Sequence, residues 1–352
     1  MKAWRVENHG GLDALTRLEI PKPEVRPGEV RVRVQAVGLN QLDIWVRKGV
    51  QGHVFPLPLI PGCDISGVVD QIAPGAEESL AQDGVKPGSP VIVNPGVSCG
   101  RCEACLGGFD PLCRHYGIFG ETRDGGCADY IVVPAANVIA RPTNVSAVEA
   151  AALPIPFLTA WTMLFRKAEI RPGDLVLIQA GGSGVSVGAI QMAKMFGATV
   201  ITTVGSDAKV EKARKLGADH VIQYRKTPFR DEVRKISSAM GRKGCDIVID
   251  HVGEETIGDS LKCLAWGGKL VTCGATSGSK LEVDLKPIFF KNLSILGSTM
   301  GSKADFIRIV RLVSEGKLRA VVDSTFSMNE LPRAHARLES REAFGKVIVT
   351  AG

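Results

Sequence analysis

Several features that would define other protein classes are missing from this sequence. It has no uninterrupted apolar stretch of eighteen or more residues, the length that a membrane-spanning helix needs. Its opening segment, MKAWRVENHGG, carries charges and lacks the apolar core of a secretory signal, so we expect a cytoplasmic protein. Basic residues form no block and do not alternate with aromatic residues, so neither a nucleic acid nor a membrane is expected as a partner.

The composition that is present is typical of a globular enzyme with two domains. Hydrophobic residues make up 45% and charged residues 23% of the sequence. A chain of 352 residues is too long for one small core. The net charge of +6 is mild and is compatible with an anionic small molecule. Nine cysteines in a chain without a signal favour reduced thiols or metal ligands over disulfides.

The pattern of strands and helices changes along the chain. The first part is predicted to be all-β, because short strands such as Val30–Val37 and Gly67–Ile72 alternate with Pro/Gly turns, which is typical of a barrel. From about Val145 strands and helices alternate, and the strands are nearly continuous apolar runs, which predicts a doubly wound parallel sheet. An amphipathic helix over Ala304–Ser314 and a final strand at Gly345–Val349 follow.

Four of the nine cysteines lie in one short window with the spacing C-x2-C-x2-C-x7-C. Four thiolates can complete a tetrahedral, closed zinc site, and a closed site is structural because it leaves no open position for a substrate. An iron–sulfur cluster is the main alternative, since some ferredoxins use a similar run, and His115 is an alternative fourth ligand. The predicted metal ligands are Cys99, Cys102, Cys105 and Cys113.

A glycine-rich stretch lies between a predicted strand, Leu175–Ala180, and a predicted helix from about Val187 to Phe196. In this setting backbone N–H groups at the helix start can bind a pyrophosphate, which predicts a dinucleotide site; a plain tight turn is the alternative. The glycine pattern is irregular, because serine or valine replaces an expected glycine in every register. The residues predicted to contact the cofactor here are Gly181, Gly182, Ser183, Gly184 and Val185.

The end of the following strand bears on which nicotinamide cofactor is bound. An acidic residue at this point accepts from the ribose 2′-hydroxyl of NAD. The sequence instead offers the hydroxyl of Ser206 and the charge of Lys209, which suit a 2′-phosphate, although Asp207 lies between them. We therefore predict NADPH, with NADH the less favoured cofactor.

Together these pieces resemble the medium-chain dehydrogenase/reductase superfamily, which includes zinc alcohol dehydrogenases and quinone oxidoreductases, over essentially the whole chain. The resemblance rests on the β-rich opening, the cysteine spacing, the βαβ region and short motifs such as Asp250–Gly253 and Phe344–Lys346. It implies a GroES-like β-barrel catalytic domain (1–153 and 303–352) with a structural zinc lobe (about 96–116), and a Rossmann domain (154–302). Further cofactor-binding residues implied by the resemblance are Thr159, Tyr224, Val252, Gly274, Ala275, Ser298 and Lys346.

The positions at which such relatives hold a catalytic zinc are changed in this chain. Asn40 stands where a cysteine ligand is expected, Cys63 where a histidine is expected, and residues 153–157 offer no third ligand. A catalytic zinc needs about three protein ligands, so we expect only the structural zinc, one per subunit.

The residues at and near these positions predict a reductase that works without a catalytic zinc. Hydride would pass from NADPH to a quinone or an α,β-unsaturated carbonyl compound, and hydrogen-bond donors would hold the negative charge that develops on oxygen. Asn40 and Asp43 are the predicted catalytic residues, although both can also be read as residues that only stabilise a turn. Trp45, Cys63 and Asp64 are predicted to line the substrate pocket. A buried anchor is the alternative for Trp45, and a small packed thiol is the alternative for Cys63.

Two other functions stay open at this point. The chain could be an alcohol dehydrogenase with an atypical metal site on Cys63 and Asp64, or a non-catalytic protein that binds NADPH or nucleic acid. The resemblance also implies a homodimer or homotetramer, formed through a sheet edge near Leu293–Gly297.

Overall fold

The computed structural model describes residues 1–351, which form two compact units. Unit 1 contains Met1–Leu158 and the chain from Gly301 onward, and unit 2 contains Thr159–Met300. The predicted domain boundaries, after residues 153 and 302, lie within a few residues of these limits. Unit 1 is therefore built from both ends of the chain, and unit 2 is a continuous insertion.

Unit 1 is rich in short strands. The strands are β1 (Lys2–Val6), β2 (Leu15–Glu19), β3 (Glu29–Gly38), β4 (Asp64–Ile72), β5 (Pro90–Val93), β6 (Gly96–Val97), β7 (Gly117–Ile118), β8 (Tyr130–Pro134), β9 (Val138–Ala140), β16 (Val322–Ser327) and β17 (Lys346–Thr350). The helices are α1 (Gln41–Lys48), α2 (Glu77–Gln82), α3 (Glu103–Leu106), α4 (Ala147–Ala150), α5 (Pro154–Trp161, which continues into unit 2), α11 (Lys303–Ser314) and α12 (Leu331–Glu339). Single 3-10 turns connect several of them.

Seven of these strands form one sheet in the order β16-β17-β3-β4-β5-β9, with β8 also paired to β3. The pairing is antiparallel except between β16 and β17. Alternate residues of β3, including Val30, Val32 and Val34, are buried in an apolar core, as the period of two in a half-buried strand requires. The last strand, β17, lies beside β3 and so brings residues near the C-terminus to the start of α1.

The all-β prediction for the first part is wrong at α1. Asn40 precedes this helix with an extended backbone, and the Asp43 carboxylate accepts a hydrogen bond from the Asn40 N–H at 2.7 Å. This contact is one half of a capping box, and it satisfies a donor that a helix start leaves unpaired. The Asn-x-x-Asp spacing was therefore the sequence signal for a helix.

Unit 2 alternates strands and helices. The strands are β10 (Leu175–Ile178), β11 (Thr199–Val204), β12 (His220–Gln223), β13 (Cys245–Ile249), β14 (Leu264–Thr272) and β15 (Ser294–Gly297). The helices are α6 (Gly184–Met195), α7 (Asp207–Lys215), α8 (Phe229–Ala239), α9 (Ile257–Lys262) and α10 (Leu285–Phe290). A π-helical segment, Thr162–Lys167, continues from α5 and was not predicted.

The six strands of unit 2 form a parallel sheet in the order β12-β11-β10-β13-β14-β15. Numbered from the first strand of the unit, this is the order 3-2-1-4-5-6 of dinucleotide-binding sheets, in which ligands bind where the order reverses. The structure confirms the predicted doubly wound fold. Its reversal point lies between β10 and β13, the strands that precede the glycine-rich turn and the Asp250–Gly253 turn.

The helices are short. The longest, α6 and α11, have 12 residues each. Within residues 1–351, no helix combines the length and the hydropathy needed to cross a bilayer.

A buried histidine in unit 1 has a consequence for stability at acid pH. His335 on α12 is fully buried, and neither ring nitrogen has a hydrogen-bond partner among residues 1–351. Burial, together with the charge of neighbouring Arg47, lowers its pKa to about 3, although Glu339 acts in the opposite direction. Arg47 is paired with Glu339 at 2.9 Å. The folded protein therefore holds this ring neutral in mild acid.

We expect His335→Leu to reduce the loss of stability between pH 7 and pH 5. Below about pH 6.5 the unfolded chain gains a proton on His335 that the folded chain does not, so stability falls as pH falls. At pH 5 this linkage costs about 2 kcal/mol. Urea unfolding at both pH values measures it, with exposed His53→Gln as the control. Equal losses in parent and His335→Leu would contradict the assignment.

Candidate functional site

The four predicted metal ligands lie together in unit 1. Their sulfur atoms all lie within 4.8 Å of one another, with Cys102 Sγ 3.5 Å from Cys105 Sγ and Cys99 Sγ 3.9 Å from Cys105 Sγ. A tetrahedron of sulfurs at the Zn–S distance of about 2.3 Å has edges of about 3.8 Å. The geometry therefore fits a four-thiolate metal centre.

Neighbouring groups shift the cysteine pKa values in different directions. The Cys105 backbone N–H lowers the pKa of Cys102, but the Cys105 side chain, burial and the other two sulfurs raise it overall to about 11. Backbone N–H groups of Arg101 and Cys102 donate to Cys99 and lower its pKa to about 6. Cys113 is buried and accepts from the N–H groups of Cys99 and His115 at 3.5 and 3.4 Å. The His115 side chain is exposed, so the four sulfurs form the better ligand set.

A second polar cluster in unit 1 surrounds the side chain of Asn40. Asn40 Nδ2 donates to Asp64 Oδ2 at 2.9 Å, and its Oδ1 accepts from Lys346 Nζ at 2.7 Å. The Lys346 ammonium also donates to Asp64 Oδ2 at 3.0 Å and to the Leu39 carbonyl at 2.6 Å. Asp64 is fully buried and Lys346 is 5% exposed. We call Asn40, Asp64 and Lys346 the amide–ammonium cluster.

Asp43 lies behind this cluster and is fully buried. One carboxylate oxygen accepts from Asn40 N–H at 2.7 Å and the other from Gly62 N–H at 2.8 Å. Burial raises the pKa of Asp43 to about 6, although the backbone donors and Lys346 act in the opposite direction. These contacts give Asp43 a positioning role, because it holds the two chain segments that carry Asn40 and Cys63. Its predicted catalytic role stays a prediction.

The residues at the expected catalytic zinc position do not fit a metal. Cys63 is fully buried, and burial, followed by Asp43 and Asp64, raises its thiol pKa well above its ordinary value. Asp64 already accepts from Ile155 N–H at 2.8 Å on Oδ1 and from the amide–ammonium cluster on Oδ2. Neither side chain offers a free anionic ligand, and two ligands would be too few.

Of the donors in the amide–ammonium cluster, one is held weakly. The three N–H bonds of the Lys346 ammonium have acceptors at 2.6, 2.7 and 3.0 Å. Among residues 1–351, the second Asn40 Nδ2 hydrogen is paired only with the Gly38 carbonyl at 3.3 Å, longer than a typical hydrogen bond. Asn40 is partly exposed, so this hydrogen is the one most easily turned toward an incoming oxygen.

Trp45 lies on α1, one helical turn beyond Asn40. It is half-buried and packs against a small apolar cluster formed by Val46, Phe55 and Leu59. These contacts anchor one side of the ring, and the predicted role of Trp45 in a substrate pocket stays a prediction.

In unit 2 the glycine-rich turn follows β10 and leads into α6. Ser183 is the N-cap of α6, and its Oγ accepts from Ser186 N–H at 3.1 Å. A side chain at Gly181 would place its Cβ 2.5 Å from Thr202 Oγ1, so only glycine fits beside the neighbouring strand. The first amides of α6, at Gly184 and Val185, have no intrahelical acceptor, as at every helix start. These amides can bind a pyrophosphate.

Other predicted cofactor residues follow neighbouring strands at the same edge of the unit 2 sheet. Val252 follows β13, Gly274 and Ala275 follow β14, and Ser298 follows β15. Ser298 Oγ is buried and has no hydrogen-bond partner among residues 1–351. Because parallel strands end at the same edge, the fold brings these residues to one side of the sheet. Thr159, also buried, lies on α5.

The end of β11 bears on recognition of a 2′-phosphate. Ser206 is the N-cap of α7 with no side-chain capping bond, and Lys209 lies in the first turn of α7. The Tyr224 hydroxyl would lie 2.9 Å from a Cβ at Gly205, so the ring lies beside this turn. Asp207 is exposed and its carboxylate is paired with Lys226 Nζ at 2.8 Å. Both partners of this pair are exposed to solvent, where ion pairs are weak.

Comparisons with known proteins agree with this two-unit architecture. The family model described as "Alcohol dehydrogenase GroES-like domain" matches residues 26–143, and the one described as "Zinc-binding dehydrogenase" matches residues 184–315. The zinc-type alcohol dehydrogenase-like protein of Schizosaccharomyces pombe is 33% identical over 347 residues, 96% of each chain. The chain belongs to the medium-chain dehydrogenase/reductase superfamily.

Members of the superfamily with different names resemble this chain over nearly its full length. A crystal structure of an NAD-dependent alcohol dehydrogenase is 46% identical, with a TM-score of 0.94 and 100% coverage of both chains. The acryloyl-coenzyme A reductase of Sulfurisphaera tokodaii is 29% identical over 94% of this chain and 95% of the relative. The chain is therefore an NAD(P)H-dependent oxidoreductase with a GroES-like domain and a Rossmann domain, and its cysteine cluster indicates zinc.

Membership of the superfamily explains the resemblance seen in the sequence. The structure adds two side-chain contacts, of Lys346 and of His251, that sequence reasoning missed. Lys346 was assigned to the cofactor, whereas its ammonium contacts Asn40 and Asp64; nucleotide binding by Lys346 stays a prediction. His251 had no assigned role, yet its ring lies against Ser183 and Ser186. Both contacts join residues distant in sequence, so only the Asp250–Gly253 and Phe344–Lys346 motifs could have indicated them.

Proposed function

We propose that this oxidoreductase uses NADPH to reduce the carbon–carbon double bond of an α,β-unsaturated carbonyl compound, or a quinone, without a catalytic zinc. The observation that carries the proposal is the amide–ammonium cluster at the position where a catalytic metal is expected. Asn40 there is a hydrogen-bond donor, and both candidate metal ligands, Cys63 and Asp64, are already committed to other contacts.

The cluster suits a substrate oxygen that becomes negative. When bound, NADPH supplies a hydride to the β-carbon of the substrate, and the electron pair of the double bond moves toward the carbonyl oxygen. Lys346 donates to Asn40 Oδ1, which polarises the amide and strengthens its N–H groups as donors. The weakly held Asn40 N–H would then pair with the oxygen, and water would return a proton to the α-carbon.

Support for NADPH comes from the residues after β11. Ser206 offers a hydroxyl that makes no capping bond to α7, Lys209 follows one helical turn later, and the Tyr224 ring lies beside Gly205. A 2′-phosphate would gain charge-assisted hydrogen bonds here, whereas NAD lacks the group that makes them.

Activity assays with both cofactors and several substrates test the proposal. Purified full-length protein is assayed with NADPH and with NADH against a small enone, a quinone and a saturated aldehyde, and in the oxidative direction with a primary alcohol. We expect reduction of the enone or the quinone with a kcat/KM at least about tenfold higher for NADPH, since one charged hydrogen bond contributes about 1.5 kcal/mol or more. Dialysis against a chelator that leaves the cysteine-bound metal in place should leave this activity unchanged.

Other outcomes would lead to different conclusions. Alcohol oxidation that disappears with the chelator would support an alcohol dehydrogenase with an atypical metal site and overturn the proposed chemistry. Equal kcat/KM with NADH would overturn only the cofactor assignment.

The nine free cysteines agree with a reducing compartment such as the cytoplasm.

We also propose that the protein is a homo-oligomer that associates through unit 2. The edge strand β15 presents unpaired backbone groups, and Ile295 on it is 43% exposed. Trp266, Leu285, Phe289 and Phe290 of the same unit are each more than 60% exposed. An exposed edge with large apolar side chains is a surface that association buries.

A further inference from the structure

The imidazole of His251 makes two hydrogen bonds to the cofactor turn. His251 follows β13 and is 9% exposed. Its Nε2 lies 3.0 Å from Ser183 Oγ and 2.9 Å from Ser186 Oγ. Ser183 caps α6 and Ser186 lies in its first turn, so one buried ring contacts both serines of the glycine-rich stretch.

The direction of each hydrogen bond follows from counting protons. Ser186 Oγ donates to the Gln179 carbonyl at 2.7 Å, and Ser183 Oγ donates to Ser186 Oγ at 3.0 Å. In this arrangement both hydroxyl hydrogens are used, which assigns the hydrogen to His251 Nε2 as the donor to the two serine oxygens. Burial lowers the pKa of His251, which keeps the ring neutral although Asp250 acts in the opposite direction.

A second chain of buried hydrogen bonds holds Gln179 and Ala180, the two residues that precede the glycine-rich turn. Thr203 accepts from Ala180 N–H at 3.0 Å and donates to Gln179 Oε1 at 2.6 Å. Gln179 Nε2 donates to Ser260 at 3.0 Å, and Ser260 donates to the Asp250 carboxylate at 2.7 Å. These hydrogen bonds link the ends of β10, β11 and β13 and fix them relative to one another.

We propose that His251 is a positioning residue for the nucleotide: its Nε2–H holds the Ser183 and Ser186 hydroxyls so that the first amides of α6 stay directed at the pyrophosphate. Glycine at these two positions would need no such restraint because it has no side chain to orient. Serine hydroxyls that were not held would compete for the same amides. This inference rests on the nucleotide-binding part of the proposed function and is independent of the substrate reduced.

The experiment measures the dissociation constant of NADPH by fluorescence titration of the full-length protein. His251→Phe keeps a planar ring and removes both nitrogens, and we expect it to raise the dissociation constant about tenfold, the effect of one to two hydrogen bonds. His251→Gln places an amide N–H near the Nε2 position and should restore binding to within about threefold, whereas His251→Asn, which is shorter, should not. His220→Gln, in the same unit but on β12, is the matched control.

A double-mutant cycle separates positioning from general destabilisation. In a Ser183→Gly/Ser186→Gly background, His251→Phe should change the dissociation constant by less than about twofold, because the groups it holds are gone. At saturating NADPH, kcat of His251→Phe should stay within about twofold of the parent, since the ring does not touch the reacting atoms. Effects of His251→Phe that are equal in both backgrounds, or parent-like binding by it, would overturn the inference.

The outcomes for this inference and for the proposed function are distinguishable. A parent protein that binds NADPH, with His251→Phe binding equally well, rejects the role of His251 alone. A parent protein that binds neither NADPH nor NADH rejects the proposed function and this inference together. If His251→Phe does not fold, the contrast between His251→Gln and His251→Asn decides the matter.

Discussion

Replacing Asn40 by alanine should lower kcat for the enone or quinone by about 10²–10³, the usual effect of removing one donor to a developing oxyanion. The loss should fall on kcat, and KM for NADPH should change little, because Asn40 belongs to unit 1 and contacts Asp64 and Lys346. Steady-state kinetics at saturating NADPH measure the effect. The thermal transition is recorded in parallel, since Asn40 also precedes α1.

The matched variant for this test is Asn40→Asp. It keeps the size of the side chain and an acceptor for Lys346 but removes both amide hydrogens, so it should be as inactive as Asn40→Ala. Asn144, an amide in the same unit that bonds to backbone carbonyls at residues 313 and 314, provides the control Asn144→Ala. If Asn40 only stabilised the helix, its variants would melt earlier and keep kcat within about threefold of the parent.

Metal content should be one zinc per chain in protein purified without added metal, and Cys105→Ser should reduce it to nearly none. The cluster holds four sulfurs within 4.8 Å, and no second group of three or more candidate ligands occurs in residues 1–351. We expect Cys105→Ser to lower the free energy of unfolding by about 3–5 kcal/mol, which is the large-effect range associated with loss of a bound metal. Elemental analysis and urea unfolding provide the two measurements.

Cys273→Ser is the control for the zinc experiment, because Cys273 is a free cysteine outside the cluster. It should keep one zinc per chain. Two zinc ions per chain would point to a metal beside Cys63 and Asp64 and would contradict the zinc-free chemistry. No zinc in a fully folded parent would contradict the structural site itself.

Much of unit 2 was predictable because its signals are local. Buried parallel strands appear as continuous apolar runs, and the strand predicted at Ala198–Val204 is observed as β11, Thr199–Val204. The predicted helix from about Val187 begins earlier, at Gly184, because the Ser183 side chain caps it. The short helix α10 and the π-helical segment were missed, since neither has a long apolar period.

The site in unit 1 was only partly predictable. The sequence indicated Asn40 and Asp64 through their spacing to neighbouring motifs, but the partner of both is Lys346, 306 residues after Asn40. That contact depends on the pairing of β17 with β3, and a non-local register of this kind leaves no trace in local composition. The full burial of Asp43, which indicates a positioning role, is invisible in one sequence, and its predicted catalytic role stays a prediction.

The place of β17 in the sheet of unit 1 also sets an order of events during synthesis. Residues 159–300 form a compact unit of their own, and they leave the ribosome before the strand that completes the sheet of unit 1. Since domains generally fold as units during translation, the Rossmann unit can form while β3 still lacks a neighbour. The ammonium that pairs with Asn40 belongs to β17 and is therefore synthesised after the whole of unit 2. A nascent chain can acquire the fold of unit 2 early but completes the amide–ammonium cluster only once β17 has been made, so chains that stop before β17 would contain unit 2 without the completed cluster.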